Sequence, residues 1–479
     1  MIPLFIFILS WLDYGVALIF GIIYSIGCYK AYKNIDLTEN TWSISIKNIL
    51  IISLIAGIWC YFAGIGYFYY QSFDYHFRNA VFRDLINYNW PVFYNKANTP
   101  MVYYMAFWLV PASIAKFFAL FISSKTILFI LGNIVLFLYS VIGVTLILLM
   151  LLKALNISKG KKLFFAILMF MFFSGIDIIG YLFFQIMKQP FEFHLDWWAS
   201  FIQYSSISTS MFWVFNQFIP IALIIFLVFN ERNIKNFGFL IALSLFFTPY
   251  PTAGIGIFML TYAIYKIIKT NNIKQFLSNN IFSIQNIIGV FWLLPLLVLF
   301  FITNSEGMDR FHYIFNYTTP TRLIIFLLLE FMIYSMLIFS NYKKDIFFLC
   351  AFVSLLFIPF LRLDQQNNFC MRASIPAIII IAFYVIDFML NSTSLNNFRK
   401  YGLAVLLILG ACTPCMEFYR GIYYTYNANK INLVADDIYT LNQAYVRMPI
   451  FGWDANHQYT AKNYKDDIFW SFFAKNTWK

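Results

Sequence analysis

The chain has 479 residues, of which 61% are hydrophobic and only 11% are charged. Soluble domains carry about a quarter charged residues and just under half apolar ones, so this composition excludes a soluble fold. The net charge of +12 does not indicate a nucleic-acid partner, because the lysines and arginines are scattered in short loops and form no dense basic patch.

Apolar runs long enough to cross a hydrocarbon core of about 30 Å recur along the whole chain. We therefore predict an all-α, polytopic bundle of about twelve transmembrane helices over 1–416. The predicted helices lie at 2–29, 47–70, 125–152, 163–187, 211–230, 236–249, 252–268, 282–302, 321–340, 345–360, 373–391 and 401–416. Residues 417–479 contain more acids and no long apolar run, so we expect a small external segment packed on the bundle.

The distribution of basic residues predicts the orientation. Sixteen of the 33 lysines and arginines fall in the short loops 30–47, 153–162, 231–237, 265–281, 341–345 and 392–401. By the positive-inside rule these loops are cytoplasmic, and both termini lie outside. The external loops are then 71–124, 188–210, 303–320 and 361–372. We expect a multi-pass protein of the cell membrane, of the bacterial inner-membrane or plasma-membrane type.

This orientation requires that 101–122 does not cross the membrane. The segment is apolar, but Pro111 and Lys116 interrupt it. Its tyrosines and tryptophan are typical of the membrane–water boundary. We therefore predict an interfacial or re-entrant helix there, within the first long external loop.

That loop begins with a carboxylate directly after a predicted transmembrane helix. Asp74 precedes a stretch, 75–88, whose pattern predicts an amphipathic helix lying flat on the membrane surface. Its apolar and polar residues lie on opposite faces: Phe77, Val81, Phe82 and Leu85 against His76, Asn79, Arg83 and Asn87. Asp74 suits a helix cap, and it equally suits a general base or a metal ligand at the bilayer surface.

The second external loop contains Glu192, His194 and Asp196 at two-residue spacing, followed by Trp197 and Trp198. In an extended chain the three polar side chains would share one side and offer oxygen and nitrogen ligands to a divalent metal ion. The two tryptophans are suited to stacking on a sugar ring. The alternative is an interfacial aromatic belt with solvated charges.

Two further positions bear on function. Arg372 stands where an external loop enters a predicted helix, at the depth of lipid phosphates, where it either binds a substrate phosphate or reaches the lipid headgroups. Asp177 and Glu330 lie near the middle of predicted helices, and acids within a membrane favour a transporter.

The residues Asp74-Tyr75-His76 and the stretch 99–104, Thr-Pro-Met-Val-Tyr-Tyr, in an early external loop resemble the GT-C-fold membrane glycosyltransferases. The resemblance implies a polyprenyl-phosphate-linked sugar as donor and Asp74 as the base that takes the acceptor's proton. It implies that His76 binds a metal or the acceptor, and that an arginine or a divalent cation stabilises the leaving phosphate. The expected substrate contacts are His76, Arg78, Arg83, Tyr103, Trp197 and Arg372.

We therefore expect a membrane glycosyltransferase that acts at the outer face of the membrane. Its partners would be membrane lipids, the lipid-linked sugar and an unidentified acceptor. Its product would be a cell-envelope polysaccharide, lipid or protein. The alternatives are a transporter or flippase for a lipid-linked glycan, and a polymerase or ligase of an envelope polysaccharide.

Overall fold

The computed structural model describes most of the chain: residues 1–35, 42–184, 194–200, 202–304, 312–313, 318–363, 367–392, 397–427, 438–442, 458–461 and 463–475. Within these ranges, eight helices are long and apolar enough to cross a membrane: Tyr14–Lys33, Lys125–Ala154, Ile207–Glu231, Pro249–Lys269, Ile284–Ile302, Pro320–Tyr342, Asn368–Asn391 and Asn397–Tyr426. The architecture is that of a multi-pass membrane helix bundle, and the predicted number of twelve helices is not confirmed.

The first half of the chain contains ten helices and one small hairpin. The helices are α1 (Ile2–Trp11), α2 (Tyr14–Lys33), α3 (Ile46–Phe62), α4 (Tyr75–Asn87), α5 (Ala106–Phe118), α6 (Lys125–Ala154), α7 (Lys161–Met171), α8 (Asp177–Phe184), α9 (Ile207–Glu231) and α10 (Phe237–Phe247), in the part that is described. The strands β1 (Phe93–Tyr94) and β2 (Thr99–Pro100) pair antiparallel between α4 and α5.

The described part of the second half contains eleven more helices: α11 (Pro249–Lys269), α12 (Ile273–Phe276), α13 (Ile284–Ile288), α14 (Leu294–Ile302), α15 (Pro320–Leu327), α16 (Ile333–Tyr342), α17 (Ile346–Phe357), α18 (Asn368–Ala373), α19 (Ile375–Asn391), α20 (Asn397–Gly410) and α21 (Cys412–Tyr426). Turns of π-helix join α13 to α14 and α15 to α16. The strands β3 (His312–Tyr313) and β4 (Leu361–Arg362) pair antiparallel.

The predicted single helix over 2–29 is wrong, because the chain turns back on itself between α1 and α2. Asp13 Oδ1 accepts a hydrogen bond from the Gly15 amide and so caps the start of α2. The Tyr24 hydroxyl donates to the Met1 carbonyl at 2.7 Å, which places α1 antiparallel to the first half of α2. One polar residue in an apolar run is enough to begin a new helix here.

The predicted helix over 163–187 is also interrupted. The chain leaves helical geometry between α7 and α8, and the Ile176 amide donates to the Leu329 carbonyl of the neighbouring π-turn. Gly175 permits this close approach, since a Cβ there would lie 2.1 Å from Glu330 Oε2. The break places the polar residues that follow it in the interior of the bundle.

The position of α5 supports the predicted interfacial segment. Its 13 residues are fewer than the roughly 20 needed to cross a bilayer. At its end, Lys116 Nζ donates to the carbonyls of Ile86 and Tyr88, which close α4. At its start, Tyr103 lies close enough to Arg78 of α4 to interact electrostatically. The two helices therefore run side by side and share one layer.

Candidate functional site

The site is built around an ion pair at the start of α4. Asp74 occupies the N-cap position, but its side chain makes no capping hydrogen bond. Instead, Asp74 Oδ2 lies 2.8 Å from Arg78 Nη2, with 38% of the Asp74 side chain exposed and only 4% of the Arg78 side chain. Arg78 Nη1 also donates to the Trp213 carbonyl. Burial lowers the pKa of Arg78, but the facing Asp74 and the neighbouring tyrosines together raise it by more, so this guanidinium stays charged.

The predicted surface position of α4 is wrong, because both faces of this helix are covered. Arg78, Asn79, Arg83 and Asp84 are all buried. Residues of the C-terminal segment supply the cover: Arg83 Nη1 donates to the Tyr439 carbonyl at 3.0 Å, and the guanidinium lies over the Tyr439 ring at 4.4 Å. Arg83, predicted to bind substrate, therefore contacts this segment.

Asp84 fixes the same segment. Its carboxylate accepts hydrogen bonds from the Thr440 hydroxyl at 2.6 Å, the Leu441 amide at 2.9 Å and the Tyr94 hydroxyl at 3.0 Å. Burial raises the pKa of Asp84 to about 6, although these hydrogen bonds and the charge of Arg83 act in the opposite direction. The C-terminal segment thus closes over the helix that carries Arg78.

Two tyrosines connect this ion pair to Arg372, the residue predicted to bind the substrate phosphate. Arg372 Nη1 donates to the Tyr104 hydroxyl at 3.2 Å. The rings of Tyr103 and Tyr104 lie 3.8 Å apart, and Tyr103 is buried. Both tyrosines interact electrostatically with Arg78. The structure therefore brings Asp74, Arg78, Tyr103 and Arg372 into one connected group, which we call the outer site.

A second polar group, the Glu417 cluster, lies on the other side of Trp213. It consists of His194, Trp213, Glu417 and Arg420. Glu417 is 1% exposed. Its Oε1 accepts a hydrogen bond from His194 Nδ1 at 2.7 Å. Its Oε2 accepts one from Arg420 Nη2 at 2.5 Å and one from Trp213 Nε1 at 3.2 Å. Trp197 stands edge-on to His194, with ring centroids 4.5 Å apart, and is 45% exposed.

The predicted metal ligands do not lie on an extended chain. Leu195–Ala199 form a turn of 3₁₀ helix, which removes the two-residue alignment, and Glu192 lies outside the described residues. The His194 side chain forms a hydrogen bond with Glu417. Asp196 is buried, and this burial raises the pKa of its carboxyl group well above the ordinary value. The nearby Asp177 and Glu417 raise the same pKa further. Among the residues that are described, no three such side chains are placed to hold a metal ion.

Asp177 and Glu330, the acids predicted to lie within the membrane, bond to Trp198, and with Asp196 of the neighbouring 3₁₀ turn they form what we call the buried acid cluster. Trp198 Nε1 donates to Asp177 Oδ1 and to Glu330 Oε1, both at 3.1 Å. The hydroxyls of Ser174 and Thr413 donate to Asp177 Oδ2. Asp177 begins α8 rather than lying mid-helix, so the broken helix places it here.

The sequence reasoning missed Trp213, Glu417 and Arg420. The last helix was predicted to end at 416, but α21 continues to Tyr426. Glu417 and Arg420, three residues apart, would lie on one face of such a helix, and this spacing was the available signal. His76, which was predicted to bind a metal ion or the acceptor, lies beside Phe73, with ring centroids 5.4 Å apart.

No protein-family model, curated protein or solved structure matches this chain. Function must therefore be argued from the geometry of the outer site and its surroundings.

Proposed function

We propose that the chain is a membrane glycosyltransferase that moves a sugar from a polyprenyl-phosphate donor to an acceptor at the outer face. One observation carries the proposal: Arg372 is joined to the Asp74–Arg78 pair through Tyr104 and Tyr103, and it follows by one helical turn Phe369, which lines an apolar groove. A hydrocarbon chain, a phosphate and a reacting hydroxyl each have a suitable position along this path.

The groove has a volume of about 400 Å³ and follows one stripe of α17. It is lined by Ile257, Thr261, Ile346, Leu349, Cys350, Val353, Ser354, Phe357, Ile358, Leu361 and Phe369. These side chains are almost all apolar, which suits the chain of a lipid carrier. Arg372 follows Phe369 by three residues, hence one turn further along α18. A phosphate attached to a chain in the groove would meet this guanidinium.

The chemistry assigns each group one task. The acceptor hydroxyl oxygen forms a bond to C1 of the donor sugar, while the bond from C1 to the phosphate oxygen breaks and its electrons stay on the phosphate. The hydroxyl proton passes to the Asp74 carboxylate, the half-exposed acid of the outer site. Arg78 holds that carboxylate in place, and Arg372 stabilises the charge that develops on the phosphate. The products are the glycosylated acceptor and free polyprenyl phosphate.

The transporter or flippase alternative has one favourable observation, the broken helix beside Glu330 and Asp177. The cavity lined by Glu330, Gly175 and Tyr204 measures about 10 Å³. Such a space holds about one water molecule and no sugar. The buried acid cluster therefore supports the transport of a glycan less well than the outer site supports transfer. The polymerase or ligase alternative uses the same outer site with a different acceptor.

The test uses the full chain in lipid nanodiscs with polyprenyl-phosphate-linked hexoses and pentoses as donors. Asp74→Asn should reduce turnover by about 100- to 10,000-fold with donor affinity retained, because the amide cannot take the proton. Arg372→Ala should instead weaken donor binding by about tenfold or more, as a charge-assisted contact to phosphate is lost.

Two variants serve as matched controls. Asp13→Asn changes an acid that only caps a helix, and Arg322→Ala changes another half-buried arginine near a helix start. Neither should alter turnover or donor affinity by more than about twofold, since surface changes away from a site have small effects. An Asp74→Asn protein that retains most of its transfer activity would overturn the assignment of Asp74 as the base. Absence of transfer by the unaltered protein from every one of these donors would overturn the proposed function.

A further inference from the structure

The Glu417 cluster determines which nitrogen of His194 carries a proton. Glu417 accepts hydrogen bonds from three donors, and Arg420 balances its charge. A carboxylate has no proton to donate, so His194 Nδ1 must be the donor in their 2.7 Å hydrogen bond. In a neutral imidazole, Nε2 is then an acceptor with a lone pair. Holding a histidine in this way is how proteins prepare it to accept a proton or a hydrogen bond.

Trp197 adds an apolar surface next to this imidazole, and the His194 side chain is 6% exposed. Its side chain is 45% exposed, and its ring stands at 86° to His194. The ring of Trp213 closes the other side, 5.1 Å from His194. An exposed indole face attracts the polarised C–H groups on one face of a sugar ring, because the indole face carries partial negative charge. A hydroxyl at the edge of the same sugar would lie near the histidine.

A membrane anchor would not need this arrangement. An interfacial tryptophan gains its energy by reaching the headgroup region. Burying Glu417 and Arg420, which are 1% and 8% exposed, costs desolvation energy that only good hydrogen-bond geometry offsets. This desolvation cost is borne by Glu417 and Arg420, and the hydrogen bond from His194 to Glu417 orients the histidine. This favours a binding role for that histidine.

The cluster also shares a residue with the outer site. The Trp213 carbonyl accepts a hydrogen bond from Arg78, and the Trp213 indole donates to Glu417. The neighbouring Val214 leaves helical geometry, with φ −138° and ψ 41°, at the point where this carbonyl meets Arg78. Trp213 therefore contacts His194 directly through its ring and is linked to Asp74 through Arg78.

We infer that Trp197 and His194 form the acceptor subsite, and that the acceptor is a saccharide. A sugar ring stacks on Trp197, and one of its hydroxyls donates a hydrogen bond to His194 Nε2. Glu417 is the positioning residue that holds the histidine. This inference rests on the proposed function and deepens it, since it excludes a protein hydroxyl or a plain lipid as the acceptor.

A binding experiment tests the subsite without any donor. Saturation-transfer difference NMR on the protein in nanodiscs would use methyl glycosides of glucose, galactose, mannose and arabinose, with glycerol as a hydroxyl ligand that lacks a ring face. At least one glycoside should bind, and Trp197→Ala should raise its Kd by about tenfold, as expected for a lost stacking contact.

The matched control is Trp292→Ala. Trp292 is 42% exposed, close to the value for Trp197, but contacts Phe20 instead of a polar cluster. This variant should bind the glycoside with a Kd within about twofold of the unaltered protein, as for a surface change away from the site. Binding of none of the glycosides, an unchanged Kd in Trp197→Ala, or equal losses in both variants would overturn the inference.

The role of Glu417 has its own readout. The chain has four histidines, so ¹⁵N-histidine labelling, with His194→Gln to identify the signal, reports the tautomer of His194. The unaltered protein should show a protonated Nδ1 and a bare Nε2. Glu417→Gln should mix the tautomers, because its amide can also donate, and should weaken glycoside binding by about fivefold. An unchanged tautomer with unchanged affinity would overturn the positioning role.

The two proposals fail in different ways. If the unaltered protein transfers no sugar from any of the polyprenyl-phosphate-linked donors, the glycosyltransferase proposal is wrong, whereas glycoside binding still decides whether the subsite exists. If the function holds and the subsite does not, Trp197→Ala will leave the acceptor KM unchanged. If both hold, Trp197→Ala should raise the acceptor KM by about tenfold with kcat and donor KM nearly unchanged.

Discussion

Two groups of acids in this protein differ in what partners them. In the outer site and the Glu417 cluster, each carboxylate faces a guanidinium: Asp74 with Arg78 at 2.8 Å, and Glu417 with Arg420 at 2.5 Å. In the buried acid cluster, Asp177 and Glu330 accept hydrogen bonds from neutral donors such as Trp198. Within the described ranges, no Lys or Arg forms an ion pair with either of them.

The difference indicates where charged chemistry can take place. A carboxylate beside a guanidinium keeps its charge and can take a proton from a substrate, provided that the substrate reaches it. Asp74 is 38% exposed in its side chain, whereas Asp177 is fully buried. Neutral donors around a buried acid satisfy its hydrogen-bonding capacity within the packed bundle. We therefore propose a catalytic role for Asp74 and a structural role for Asp177 and Glu330.

The largest expected effect concerns the side of the membrane on which the outer site lies. In a background without the native cysteines, the exposed Asn95→Cys and Lys96→Cys should react with an impermeant maleimide added to intact cells. The exposed Lys159→Cys and Lys161→Cys should react only after the cells are opened, because lysine-rich short loops are retained inside. Labelling of 159 or 161 in intact cells would invert the orientation and remove the outer site from the outer face.

The next effect separates the geometry of the outer site from general stability. A Cβ at Gly254 of α11 would lie 2.2 Å from the Ala373 carbonyl oxygen, directly after Arg372. Gly254→Ala should displace α18, lower stability by about 1–3 kcal/mol and weaken donor binding by about tenfold. The matched control is Gly57→Ala in α3, where a Cβ would meet nothing within 4 Å.

Gly57→Ala should leave donor affinity unchanged and raise stability slightly, by up to about 1 kcal/mol, because alanine is the better helix former. Thermal unfolding followed by tryptophan fluorescence, together with donor titration, measures both quantities. Unchanged donor affinity in a folded Gly254→Ala protein would mean that the position of α18 does not control the phosphate site.

Composition and periodicity predicted the membrane bundle because they are local properties, repeated over long stretches. The contacts of the site are not local. Arg78 meets Trp213 across 135 positions, His194 meets Glu417 across 223, and Thr440 meets Asp84 across 356. No pattern in a single sequence encodes such pairs, so the sequence identified Asp74, Arg78 and His194 as candidates without identifying their partners.

Two of the three errors in the helix predictions have the same origin. Asp13 is one polar residue in a long apolar run, and the hydropathy of its neighbours hides the cap that it forms. The turn before Asp177 depends on Gly175 approaching Glu330, which lies on a distant helix. The prediction of a surface helix at α4 failed because the covering segment comes from the other end of the chain. Tertiary contact overrides periodicity in the second and third cases, whereas the cap at Asp13 is a local hydrogen bond.

Substitutions in the buried acid cluster should have a smaller effect, and they test whether its role is structural. Asp177→Asn and Glu330→Gln keep the size and the acceptor oxygen of each side chain, so turnover should stay within about threefold of the unaltered protein. Stability should fall by about 1–2 kcal/mol, because part of each hydrogen-bond set is lost. Abundance, melting temperature and transfer rate are measured together. Loss of function at normal abundance, with Asp74→Asn still active, would favour transport.

The smallest expected effect concerns the contact that closes the C-terminal segment over α4. Burial raises the pKa of Asp84 to about 6, above its usual value near 3.8. Between these two values the folded chain binds more protons than the unfolded chain, so the free energy of unfolding falls as the pH rises. The contribution is fully present below about pH 4 and is lost as the pH rises through about 6. Its upper limit is about 3 kcal/mol, because a tenfold change in a proton-binding constant corresponds to about 1.4 kcal/mol.

Asp84→Asn removes the titrating group while keeping an acceptor for the Thr440 and Tyr94 hydroxyls. The unaltered protein should therefore lose about 2–5 °C more in Tm than this variant between about pH 4.5 and about pH 7.5. Asp13→Asn, at an exposed helix cap, should keep the pH dependence of the unaltered protein. If Asp84→Asn and the unaltered protein differ by the same Tm at both pH values, the raised pKa of Asp84 is wrong. The segment over α4 would then be held by hydrogen bonds whose strength does not depend on this proton.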